Sequence, residues 1–265
     1  MADREQRDKI LRFYRGSGED DLATRLLDWA DQAQKQRRCK VGFFLDPRGQ
    51  EIAEVVGNLY PDLAVLLGGG YQGAERQKIC FKHEEFYGEP DFEMEALVIR
   101  WDSRYERLGH RDVLGALLGQ GLERELFGDV IMKGDTAQII GSKRAIDYIR
   151  DNMTQAGSAA VTIEPLVLDE IEPREERVKE IRATVASLRL DSIAAAGFST
   201  SRSKMASDIE SERLKLNWQE VKSPSRMVKE GDIISCRGKG RVEVTEIGKE
   251  TKKGRIGVFL KRYMG

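Results

Sequence analysis

The stretch FSTSRSKMASDI, from Phe198 to Ile209, concentrates hydroxyls and cations at one point of the chain. Ser199, Thr200 and Ser201 stand just ahead of a short amphipathic repeat in which Met205 and Ile209, four apart, mark one inward face. The first amides of a helix starting there have no intrahelical acceptor and carry partial positive charge, so they attract anions. Arg202 and Lys204 add two full charges at the same place. That chemistry suits a phosphate. Arg189 opens the preceding short helix, RLDSIAAAG, which stops at Gly197, and Asp191 is expected to cap it. Lys215, Asn217 and Trp218 form the next turn, where an aromatic face beside cations stacks on an unpaired base. The alternation Leu214, Leu216, Trp218 equally fits a buried strand face. Arg237, Lys239 and Arg241, in CRGKGR, make a glycine-flexed basic loop.

Other motifs look catalytic and fail on context. Gly68 to Gly73 satisfies GxGxxG after an apolar strand, but Ile79 to Phe81 already reads as strand. No room remains for the helix whose N-terminus would face a pyrophosphate, so a tight structural turn is expected. His110-Arg111-Asp112 resembles a kinase triplet without a phosphate loop or a magnesium motif. Cys39, Cys80 and Cys236 are far apart, and with only His83 and His110 as imidazoles neither a zinc site nor a disulfide framework is expected. No catalytic residue, metal or cofactor is assigned.

The elements that hold these residues follow from periodicity. Residues 3 to 38 predict two helices, Val41 to Leu45 a strand, and Ile52, Val55, Val56 and Leu59 a helix stopping before Pro61. Leu63 to Leu67 and Gln77 to Phe81 add strands. The middle predicts strands at Ala96 to Trp101, Val130 to Lys133, Ala137 to Ile140 and Val161 to Val167. Helices are expected at His110 to Leu118 and after Ser142. That β-α-β-β-α-β order is ferredoxin-like (RRM-like). Residues 169–183 are dense in alternating charge and predict a linker. Beyond them come two short helices and a β-hairpin layer, with Val242, Val244, Ile256, Val258 and Leu260 inward and Lys252-Lys253-Gly254 at the turn. The fold class is therefore α+β, divided as 1–83 (N-terminal αβ region), 84–168 (ferredoxin-like domain), 169–183 (linker) and 184–265 (RNA-binding domain).

Charge agrees with that division. The chain has a net charge of −1, yet residues 184–265 carry 17 Lys and Arg against 10 Asp and Glu, a net of +7 that leaves −8 for the rest. A basic module on an acidic body predicts a polyanionic partner. No apolar run reaches the ~18 residues of a membrane span, and the charged N-terminus lacks an apolar stretch behind it. A cytoplasmic protein is expected.

RLDSIAAAGFSTSRSKMASDI, RLKLNWQEV and KEGDIISCRGKGR together resemble the RNA-binding domain named after small-subunit ribosomal protein four. Arg189, Leu190, Asp191, Gly197, Ser201, Arg202, Ala206, Asn217, Gly231 and Asp232 stand at its characteristic positions, and Trp218 stands where its common pattern has glycine. With FLDPRGQEIAEVV, GGYQGAERQKI, HRDVLGALLGQGLERELFGDVI, NWQEV and LKRYMG, the whole chain resembles the YlmH family. The resemblance implies a cytoplasmic protein that binds rRNA or tRNA on the large ribosomal subunit, in rescue of stalled peptidyl-tRNA complexes, with a link to cell division. It makes Tyr71, Glu75 and Arg76, with His110 and Arg111, a surface patch whose role does not follow from residue types. A protein partner is expected for the acidic regions. Two rivals stand beside this reading. One is an RNA-modifying enzyme with its site around Gly68 to Arg76 and His110 to Asp112; the other is a protein-binding division factor whose basic module is a relic.

Overall fold

The computed structural model describes residues 4–173, 177–251 and 254–264. The chain divides into two compact units, Met1–Arg174 and Glu175–Gly265.

In the first unit, α1 (Arg4–Tyr14) and α2 (Asp20–Gln36) precede β1 (Cys39–Leu45), α3 (Pro47–Gly57), β2 (Leu63–Gly68) and β3 (Gln77–His83). The strands form an antiparallel sheet in the order β1-β3-β2. Asp46 starts α3 by accepting from the Gly49 amide at 2.9 Å, with Pro47 in the first turn where its missing N–H costs nothing. Leu26, Leu27, Ala30, Ile52, Val56, Ile79 and Phe81 close the core between helices and sheet. β2 and β3 are an antiparallel hairpin, so the glycine-rich segment between them is a turn with positive φ at Gly70 and Gly73. No helix follows it, which removes the dinucleotide reading.

The same unit continues with β4 (Met94–Trp101), α4 (His110–Gly119), β5 (Phe127–Lys133), β6 (Thr136–Ser142), α5 (Lys143–Asn152), β7 (Gln155–Ala156) and β8 (Ala159–Leu166). Strand order is β5-β6-β4-β8-β7, every pair antiparallel, which is the ferredoxin-like order with one short strand added. Val113, Leu117, Ile146 and Ile149 from the helices pack on Leu97, Ile99 and Ile139. The other face of the sheet is covered too. Ala96, Ile131 and Ile140 lie under Phe44 of β1 and under Ile171, with Tyr71 and Leu168 alongside. Residues 1–83 and 84–168 thus share a core. Sequence periodicity misses β7, which is two residues long, and the Ser142 hydroxyl makes no capping bond although Ser142 occupies the N-cap.

The second unit runs β9 (Arg177–Val185), α6 (Leu190–Gly197), α7 (Arg202–Glu210), β10 (Leu214–Leu216), β11 (Gln219–Glu220), β12 (Ile233–Cys236), β13 (Gly240–Glu250) and β14 (Ile256–Met264). These strands form one six-stranded sheet, β11-β10-β12-β13-β14-β9, larger than the hairpin layer expected. The difference begins at residues 177–183, expected to be linker, which are strand. Glu180 and Arg182 alternate with Ile181 and Ala183, the latter pair packing on the core, and β9 gains its backbone partners from β14. Residues 174–176 of the expected linker, and Lys252 and Lys253 of the expected turn, lie outside the described residues. Leu190, Ile193, Met205, Ile209, Leu214, Val242 and Leu260 form the core beneath the two helices. Gly197 is required there, since a Cβ on it would come within 2.7 Å of the Val242 side chain.

Among the described residues no helix is long and apolar enough to cross a membrane.

Candidate nucleic-acid interface

Five cations of the second unit are held by two buried carboxylates. Asp191 lies in the first turn of α6 and is 4 % exposed. It accepts from Arg202 Nε at 2.9 Å and from Arg189 Nε at 3.3 Å. The expected capping role is therefore corrected: Arg189 occupies the N-cap, and Asp191 is an anchor for two guanidinium groups. Burial pushes its carboxyl upward, and the bonds from Arg202 and Arg189 outweigh burial, so its pKa lies below the ordinary aspartate value. Asp208, in the last turn of α7 and 3 % exposed, gathers three more cations. Lys204 Nζ lies at 3.0 Å, Lys239 Nζ at 3.5 Å and Arg213 Nη1 at 3.7 Å. Here too burial opposes ionisation, and Lys204 followed by Lys239 outweighs it, leaving the carboxyl below its usual range.

Arg202 and Lys204 keep 48 % and 51 % of their side chains exposed while bound to these anchors. Each carboxylate fixes the position of its cations without consuming their outward surface. Two anions thus hold five cations, a local excess of three positive charges around the two carboxylates.

The hydroxyl stretch holds the start of α7 as expected. Ser201 is its N-cap and accepts from the Lys204 amide at 3.2 Å. Ser199 is exposed with φ of 54°, and the Thr200 amide donates to the Ala195 carbonyl, which turns the chain sharply between α6 and α7.

The next turn divides its residues between two tasks. Leu216 pairs with Gln219, so Asn217 and Trp218 form a two-residue hairpin loop, with φ of 50° and 63°. Asn217 donates to Asp232 at 2.9 Å and accepts from the Ile233 amide at 2.8 Å, so its amide group braces the neighbouring turn. Trp218 is half-buried and outside the core cluster, and Lys215 on β10 is exposed. Arg237 is exposed in the turn between β12 and β13, where Gly238 has φ of 80° and the Arg237 amide donates to the Arg213 carbonyl. Arg241 lies over the Tyr263 ring at 4.9 Å. Periodicity missed Asp208 and Arg213; the i,i+4 spacing of Lys204 and Asp208 was the available signal.

The first unit places Tyr71, Glu75 and Arg76 at a joint. Asp129 on β5 accepts from the Tyr71 hydroxyl at 2.7 Å and from the Glu75 and Arg76 amides at 2.8 and 3.0 Å. Arg76 donates onward to the Phe44 carbonyl at 2.8 Å, and Arg124 donates to the Phe127 carbonyl at 2.6 Å. Burial, then the neighbouring Arg76, pushes Arg124 down to about 10. The glycine-rich turn therefore clasps the N-terminal sheet to the ferredoxin-like domain. His110 and Arg111 open α4 and lie exposed.

An RNA-recognition class follows from this arrangement and from comparison with known families. Residues 188–234 match the S4 domain, residues 88–170 match the candidate RNA-binding domain in YlmH, and residues 19–86 match the YlmH N-terminal domain. A curated relative, the Bacillus subtilis ribosome-associated protein quality control protein P2, is 38% identical over 237 residues, covering 89% of this chain and 92% of that protein. A solved structure, the cell division protein ylmH from Streptococcus pneumoniae, is 21% identical with a TM-score of 0.49, covering 58% of this chain and 95% of its own. The chain belongs to the YlmH family.

Proposed function

We propose that the second unit docks on structured RNA, rRNA or tRNA, and that the protein serves on the large ribosomal subunit in quality control of stalled peptidyl-tRNA complexes. The observation that carries this reading is the pair of buried carboxylates, Asp191 and Asp208, which fix Arg189, Arg202, Lys204, Arg213 and Lys239 while Arg202, Lys204 and Arg213 keep roughly half or more of their side chains exposed. Cations held in place meet a phosphate backbone with less loss of side-chain freedom than mobile ones. Ser199, Thr200 and Ser201 supply hydroxyls beside them. Lys215, Trp218, Arg237 and Arg241 extend the contact, and Asn217 shapes the turn that presents Trp218. The protein binds and does not catalyse. The name of the B. subtilis relative supports a role at the ribosome, which implies a place in the cytoplasm.

Salt-titrated binding to a structured RNA tests the assignment. Affinity falls steeply with salt, and Arg202→Ala with Lys204→Ala flattens the log–log slope by about two. An unchanged slope in the double variant removes these residues from the interface.

A further inference from the structure

A ferredoxin-like RNA-binding module of the RRM type stacks bases on its open sheet face. That face is closed in this protein. Phe44, Ile171, Tyr71 and Leu168 cover Ala96, Ile131 and Ile140, and Gln138 accepts from the Glu172 amide at 3.0 Å. The far end of the face stays open as a shallow cleft of about 590 Å³, lined among others by Arg100, Asp102, Arg104, Asp135, Ala160 and Thr162.

The loop at that end, between β4 and α4, is anchored from below and bare above. Leu108 is buried in the domain core, Glu106 accepts from Ser158, and the Tyr105 amide donates to the Asp102 carbonyl at 3.2 Å. Above these anchors Tyr105 is 86 % exposed, with the Arg104 guanidinium 5.8 Å from its ring centroid. The Arg104 side chain is 82 % exposed and is oriented by Asp102 at 2.6 Å. Arg107 and Arg111 follow, both exposed. The acids of the loop are engaged: Asp102 holds Arg104, Glu106 holds Ser158, and Asp112 accepts from the Gly109 amide at 2.8 Å.

We propose that this loop is a second RNA site, in which Tyr105 stacks on one unpaired base, the neighbouring cleft reads its edge, and Arg107 and Arg111 meet the flanking phosphates. Every base has a π face, so a ring held out by an anchored loop and capped by a guanidinium is a sequence-tolerant seat. Arg100 leans on Glu164 at 3.1 Å through Nε and keeps its terminal N–H groups for the cleft, Thr162 adds a hydroxyl and Asp135 a carboxylate acceptor, while Asp102 is taken up by Arg104; donors and an acceptor together suit a base edge. A phosphate alone would meet two carboxylates there. The site serves single-stranded RNA, whereas the second unit serves the folded backbone. It rests on the RNA-docking reading of the whole chain.

Fluorescence anisotropy with full-length protein separates the two. The probes are one labelled RNA hairpin with a six-nucleotide unpaired 3′ tail and the same hairpin with a blunt end. Wild type binds the tailed hairpin more tightly. Tyr105→Ala weakens tailed binding by about tenfold, down to the blunt level, while Tyr105→Trp retains the difference. Arg107→Gln with Arg111→Gln narrows it. Arg202→Ala with Lys204→Ala weakens both probes and leaves the difference intact. Equal affinity of wild type for the two probes, or a tail preference that survives Tyr105→Ala, overturns the site. Loss in the Arg202/Lys204 variant alone then leaves the docking reading standing, and no loss in any variant overturns both.

Discussion

Asp208 shows how a residue that cannot touch RNA determines whether its neighbours can. It is buried, negative and surrounded by Lys204, Lys239 and Arg213, so removing its charge frees three cations and leaves them repelling one another. Asp208→Asn is expected to lower the stability of the second unit by about 1–2 kcal/mol, since half-exposed pairs are screened by solvent. The folded carboxyl ionises more readily than the unfolded one, so its contribution is present above about pH 4 and is lost as pH falls through the lower folded value. Thermal unfolding followed from pH 7 down to pH 3 should therefore decline more steeply for wild type than for Asp208→Asn. Asp191 works the same way on Arg189 and Arg202. The cations were legible in the sequence as types. Their anchors were not, because an aspartate in a helix has the same local signature whether it faces water or three lysine and arginine side chains. Asn217 is the reverse case: its position was legible, and its task, bracing Asp232 and Ile233, depends on a segment some fifteen residues away.

Elements were read best where one face repeats. β4, α4, β5, β6, α5 and β8 follow the expected order, and the GxGxxG segment is a hairpin turn, as the missing helix implied. β9 was hidden because its outward residues are charged and its inward ones small or β-branched, a pattern shared by solvated linkers and by strands whose partner lies far along the chain. The hairpin loop between β10 and β11 carries its own prediction. Both loop residues have positive φ, which asparagine tolerates and tryptophan does not. Trp218→Gly is expected to raise stability by about 0.5–1 kcal/mol while reducing RNA affinity, measured by denaturant unfolding and anisotropy on the same preparation. A fall in stability instead would mean that the ring contributes more packing than the turn loses in strain.

At the level of the whole molecule, the family resemblance predicted a binding chain of several modules, and the matches to YlmH and S4 domains agree. Neither charge nor periodicity foresaw that residues 1–83 and 84–168 would share a core. That union rests on Phe44 of β1 and on the clasp in which Asp129 of β5 receives the turn between β2 and β3, contacts between segments far apart in the chain whose spacing carries no period. Asp129→Ala deprives the Tyr71 hydroxyl and two amides of their acceptor and is expected to destabilise the first unit by about 2–3 kcal/mol. Differential scanning calorimetry should show the first unit melting earlier, with the salt slope of RNA binding unchanged. A shifted slope would tie the clasp to docking.

The pairing of β9 with β14 joins residues 177–185 to residues 256–264 over nine register pairs. Contacts so distant along the chain close late, after the helices α6 and α7, which are neighbours in sequence, have had time to meet. Refolding of the second unit should thus run in two tempos: a quick helical hairpin carrying the cation anchors, then a slower zipping of outer strands that sets the overall rate.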